Sequence, residues 1–116
     1  MTEAPVANII RHPKLILPTD SISRAVEALR VSGLAEIPVI SIGRVVGVVT
    51  ESSILEALLS GNPREVMKQP VSLVMSKDFV CGNVYMSAGQ VAELMKDSQR
   101  QILPIVDQYG NYQGIV

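Results

Sequence analysis

The sequence predicts an α/β fold made of two copies of one β-α-β-β-α unit. Three observations carry that expectation. Val and Ile are abundant, sixteen and eleven of 116 residues, and fall in short runs of strand length. Between the runs lie stretches with apolar residues at helical spacing, opened by Thr, Asp or Ser. Third, the chain resembles itself. Pro5-Val6-Ala7-Asn8-Ile9-Ile10 recurs as Pro70-Val71-Ser72-Leu73-Val74-Met75, and Ala25-Val26-Glu27-Ala28-Leu29 as Val91-Ala92-Glu93-Leu94-Met95. Ile37-Pro38-Val39-Ile40 recurs as Leu103-Pro104-Ile105-Val106, and Gly47-Val48-Val49 as Gly114-Ile115-Val116. The offsets are 65, 66, 66 and 67. Four matches in order, at nearly one offset, define a tandem repeat of roughly sixty-residue units.

The elements follow in order. A short helical turn opens the first unit at Val6 to Ile10. Leu15-Ile16-Leu17 reads as a short strand ended by Pro18. Thr19, Asp20 and Ser21 are helix-start residues. Ile22, Ala25, Val26 and Leu29 make the helix's apolar stripe, and Gly33 ends it as a C-cap. Ile37–Ile40 and Arg44–Val49 are strands joined by the tight link Ser41-Ile42-Gly43. Glu51 to Leu59 is a second helix, with Ile54, Leu55, Leu58 and Leu59 on its apolar face. Ser60-Gly61-Asn62-Pro63 stops that helix and opens a linker. In the second unit Phe79-Val80-Cys81 reads as the first strand. Ser87-Ala88-Gly89-Gln90 is a capping-box pattern opening a helix to about Asp97. Leu103–Val106 and Gln113–Val116 are the hairpin strands, linked through Gln108-Tyr109-Gly110-Asn111. The division expected is 5–60 for unit one, 61–69 for the linker and 70–116 for unit two. In unit two no closing helix follows Val116.

Composition excludes several functions. The net charge is −1, from 10 Lys+Arg against 11 Asp+Glu, with no basic block for a nucleic acid to meet. One Phe, three Tyr and no Trp leave no base-stacking platform. The single cysteine, Cys81, rules out an intrachain disulfide and a cysteine zinc site. The single histidine, His12, precedes Pro13 in an expected loop, and offers no base to a nucleophile. No Gly-rich phosphate loop is present. These readings point away from an enzyme. No apolar run reaches about 18 residues, so no transmembrane helix is expected. The N-terminus carries Glu3 and no apolar core, unlike a signal peptide, so a cytoplasmic location is expected.

The residues resemble a tandem pair of cystathionine-beta-synthase-type (CBS) domains, a Bateman module. The motifs are Ile37-Pro38-Val39-Ile40, then Gly43, then Gly47-Val48-Val49-Thr50-Glu51-Ser52-Ser53-Ile54-Leu55. The second copy gives Leu103-Pro104-Ile105-Val106-Asp107, Gly110, and Gly114-Ile115-Val116. The resemblance spans residues 5 to 116. It implies two sheets packed together with helices outside, and a regulatory module that binds an adenosine-containing nucleotide in clefts between the units. AMP, ADP, ATP or S-adenosylmethionine would be the regulatory ligand, with no cofactor required. It also implies a homodimer, formed through the helices flanking the units, and a regulated protein partner. Two departures matter. The family's ribose-binding acidic residue falls on Ser53, and the second unit stops before the matching positions.

Carried over residue by residue, the resemblance gives one cleft Thr50 and Ser53 together with Ser72, Phe79, Val80, Gln101 and Ile102. It gives the other cleft Ala7, Lys14, Leu15, Ala35 and Glu36. Thr50 has a physical logic of its own: it closes a strand and opens a helix, where backbone N–H groups and the helix dipole attract a phosphate. Ser53, one turn in, can offer only a neutral hydrogen bond, and a carboxylate there would be roughly twice as strong. A plain N-cap at Thr50 and a solvated Ser53 are the competing readings. The alternative functions are a ligand-free structural or dimerisation module, or a regulatory fragment of a larger enzyme or transporter.

Overall fold

The computed structural model describes residues 3–116. The α/β class stands. The described residues form two small sheets and four α-helices, grouped by contact into two compact units. One unit holds Lys14–Phe79. The other joins the segment ending at Pro13 to Val80–Val116.

In the Lys14–Phe79 unit, α1 spans Ile22–Ser32. The Ser21 hydroxyl accepts the Arg24 amide at its start, and Gly33, in the left-handed region, ends it. Ile22, Ala25, Ala28 and Leu29 face the core. β1 (Glu36–Ser41) and β2 (Arg44–Thr50) form an antiparallel hairpin. Its two-residue turn, Ile42-Gly43, has φ of 52° and 75°. The Leu15–Leu17 strand is reduced to a single parallel bridge, Ile16 to Val39. Pro18 and the Asp20 carboxylate, which accepts the Leu17 amide, turn the chain before a ladder can grow. α2 spans Glu51–Ser60. The linker is not structureless: Pro63–Lys68 form α3, whose Asn62 cap accepts from Arg64 and Glu65. Pro at the first helical position is a start signal, so Asn62-Pro63 opens a helix where a stop was expected.

In the second unit, β3 (Gly82–Asn83) runs parallel to β4 (Pro104–Val106), which pairs antiparallel with β5 (Tyr112–Ile115). The Phe79–Cys81 strand is therefore displaced towards Gly82. A Cβ on Gly82 would stand 2.8 Å from Leu103 and 3.0 Å from Ile105, so the strand that fits there carries no side chain at that point. α4 spans Ala88–Ser98 with the expected capping box of Ser87 and Gln90.

The repeat holds at the level of register. Pro38 pairs with Val48 and Val39 with Gly47, while Pro104 pairs with Ile115 and Ile105 with Gly114. A bulge follows at the same place in each, Val39/Ile40 and Ile105/Val106. Each hairpin also receives a leading segment, and those segments are exchanged between the sequence repeats. Pro70–Ser76 docks in the Lys14–Phe79 unit, with bridges Ser21–Pro70 and Val48–Ser76. Pro5–Arg11 docks on the Val80–Val116 body, with bridges Pro5–Ser87 and Arg11–Ile115. Gly47 and Gly114 admit these segments. A Cβ on Gly47 would lie 2.9 Å from the Ser76 carbonyl oxygen, and one on Gly114 would lie 2.7 Å from that of Arg11.

Candidate functional site

Thr50 ends β2 and caps α2. Its hydroxyl accepts the Ser53 amide at 3.0 Å, and the Ser53 hydroxyl accepts the Thr50 amide at 3.3 Å. Ser53 also donates to the Thr50 carbonyl at 3.0 Å. This reciprocal capping box engages both hydroxyls. The Glu51 amide donates to the Ala35 carbonyl at 3.0 Å, so two first-turn amides are used inside the fold. Thr50 still has its hydroxyl proton to donate, because accepting a bond uses only a lone pair. Ser53 has spent both its proton and one lone pair.

The strand register sets Glu36 opposite Thr50. Thr50, Ser53, Ala35 and Glu36 therefore form one corner of the Lys14–Phe79 unit, although the family pattern divides them between two clefts. Lys14 and Leu15 belong to the same unit, Lys14 exposed and Leu15 half-exposed. Ser72 is exposed, its amide held by the Pro18 carbonyl at 3.0 Å, and Phe79 is half-buried. In the other unit Ala7 and Gln101 are exposed, Val80 packs partly against that unit's core, and Ile102 is buried.

The sequence placed Ile54, Leu55, Leu58 and Leu59 on one apolar face of α2. Only Ile54 of that face is buried; Leu55 is 57% and Leu59 80% exposed. Between α1 and α2 lies an open groove of about 460 Å³, lined by Val26, Leu29, Ile54, Leu55 and Leu58, with Arg30 and Glu51 as its charged members. The signal was available in the letters: five apolar residues among Ile54–Leu59 exceed what one buried stripe needs.

Burial pushes the Cys81 thiol up, and pushes the Tyr112 phenol up to about 12. Among the described residues, no group of three His, Cys, Asp or Glu could hold a metal ion. No helix among them is long and apolar enough to cross a membrane.

A fold of twin hairpins with exchanged leading segments and a Thr-capped helix after the first defines a class of tandem hairpin-and-helix domains. The sequence comparison is specific: the CBS domain matches residues 6–60 and again 65–116, and the chain belongs to that family. The Bacillus subtilis CBS domain-containing protein YhcV is 35% identical over 102 residues, covering 87% of this chain and 70% of that protein. The chain spans only 34% of a second curated relative, from Methanocaldococcus jannaschii. Two solved structures share the fold. The CBS domain pair of protein MJ0100, in complex with 5′-methylthioadenosine and S-adenosyl-L-methionine, superposes with a TM-score of 0.77. It is 23% identical and covers 97% of this chain and 88% of that one. CBSX2 of Arabidopsis thaliana in complex with AMP gives 0.78, at 22% identity over 97% of this chain and 89% of that one.

Proposed function

We propose that this chain is a regulatory, non-catalytic module that senses an adenosine-containing nucleotide: AMP, ADP, ATP or S-adenosylmethionine. The observation that carries the reading is the fold, shared over 97% of the chain with two proteins that hold such ligands. Their common chemistry is an adenosine group. The cleft assigned to it takes Thr50 and Ser53 with Ser72, Phe79, Val80, Gln101 and Ile102. The counterpart cleft takes Ala7, Lys14, Leu15, Ala35 and Glu36. Thr50 donates to a phosphate oxygen, and Ser53 contributes little to ribose because the capping box holds its hydroxyl. Binding is therefore weak. A ligand that favours one conformation shifts the population towards it, and a partner protein reads that shift. The module works in the cytoplasm as a homodimer, and light scattering over a concentration series reads that state.

Calorimetry with the four ligands tests the reading. In the Ser53→Asp variant a carboxylate enters the first turn of α2, where the helix dipole favours it. One charge-assisted bond is worth about 1.5–3 kcal/mol, so affinity should rise roughly ten- to a hundred-fold. Unchanged affinity removes Ser53 from the site. The second reading, a ligand-free dimerisation module, is favoured by the closed capping box, and silence of both proteins towards all four ligands would establish it.

A further inference from the structure

The leading segment Pro5–Arg11 is held by a seat that reads as a peptide-binding site. Its backbone pairs at both ends. The Ala88 amide donates to the Ala4 carbonyl at 2.7 Å, and the Val6 amide to Met86 at 3.1 Å. Five residues on from Val6, the Arg11 amide donates to the Ile115 carbonyl at 2.7 Å and the Arg11 carbonyl accepts the Ile115 amide at 2.9 Å. Ile115 lies on β5, the edge strand of its sheet, so Arg11 extends that sheet by one bridge. Between the two anchors Val6 is fully buried with Val91, Leu103 and Ile105, and Ile10 packs partly against them. Val6–Ile9 form a turn of 3-10 helix between the anchors, so the segment is held by main-chain bonds at its two ends and by the apolar pocket around Val6.

The same seat is built a second time. In the Lys14–Phe79 unit the Val71 amide donates to Asp20 at 2.8 Å and the Ile22 amide to Gln69 at 2.9 Å. Ser76 and Val48 exchange bonds at 2.7 and 2.9 Å, and Val71 is fully buried. Two occurrences of one segment in one kind of seat make the seat a feature of the fold. The connection from the first segment to its own sequence repeat runs through Arg11-His12-Pro13-Lys14, where His12–Lys14 have no regular structure and the His12 and Lys14 side chains are exposed.

We propose that the Val80–Val116 body carries a peptide-binding seat, formed by Met86–Ala88, Val91, Leu103, Ile105 and Gly114–Ile115, whose ligand is the Pro-Val-x-x-Ile-Ile-Arg segment of this chain, a 3-10 turn bridged at both ends and held there as a separable strap. Packing and main-chain bonds define the seat without recourse to the proposed function, although Ala7 of the strap is also assigned to the second cleft. Tethering supplies the strap at an effective concentration of order mM, so in the intact chain the seat is occupied.

The test cuts the tether in the whole protein. A site-specific protease sequence is inserted between Pro13 and Lys14 and cleaved after folding, and native mass spectrometry follows the released piece. A fluorescent peptide of residues 3–13 is then added to cut and intact protein. The cut protein should hold its strap and exchange it for the labelled peptide, and the intact protein should take up at least tenfold less. A Val6→Asp peptide should not be taken up. The proposal is overturned if the cut strap leaves while the body keeps its cooperative melt and takes up no peptide. It is equally overturned if the cut protein unfolds in saturating peptide, or if the Val6→Asp peptide binds as well as the natural one.

Discussion

Ile42 sits in the left-handed region with φ of 52°, and its side chain is 96% exposed. A β-branched residue pays about 1–2 kcal/mol for that backbone, and here burial returns nothing. The turn that closes a two-residue hairpin with positive φ at both positions favours Asn-Gly. Ile42→Asn should therefore stabilise the chain by about 1 kcal/mol. Chemical denaturation would show it as a higher midpoint at unchanged slope. A lower midpoint would mean that Ile42 is covered in solution. Ser53 teaches a complementary point. Its hydroxyl is a legible letter in the sequence, but its geometry is not. Whether a serine three residues into a helix faces a ligand or turns back on the cap depends on one rotamer, and the capping box decides it here.

The elements most legible in the sequence were those with a local cause. Ser21, Ser87 and Gly33 fixed helix ends by side-chain and backbone bonds to near neighbours. Ile37–Ile40 and Arg44–Val49 had both hydrophobic runs and a turn between them. The elements misread were those decided from afar. Leu15–Leu17 has strand composition, yet only Ile16 finds a partner, Val39. Phe79-Val80-Cys81 has better strand propensity than Gly82-Asn83. The close approach of Leu103 and Ile105 nevertheless selects the glycine. Propensity describes how a residue fits a pleated surface, and says little about which backbone can come near. The α3 helix was hidden by the same kind of ambiguity, since Asn-Pro can stop one helix or start the next. Of the candidate site, the Thr50 helix start was legible, while its alignment with Ala35 and Glu36 was set by hairpin register.

At the scale of the whole chain, the exchange of leading segments decides what can fold alone. Each sequence repeat lacks the segment that completes its own hairpin and carries the one that completes the other's. Cutting the chain between Gln69 and Pro70 follows the repeats. It leaves 1–69 without Val71 and Ser76, and 70–116 without Val6 and Arg11. Each piece then loses a fully buried valine, worth about 1.5–3 kcal/mol, and several backbone bonds of about 0.5–1.5 kcal/mol each. Domains are stable by only about 5–15 kcal/mol, and bodies this small sit at the low end. Neither fragment should therefore show a cooperative thermal transition by circular dichroism. Mixed in equal amounts, they should recover one, because each brings the segment the other lacks. A fragment that melts cooperatively by itself would show that its leading segment is dispensable, and that the repeat, not the contact unit, is the folding unit.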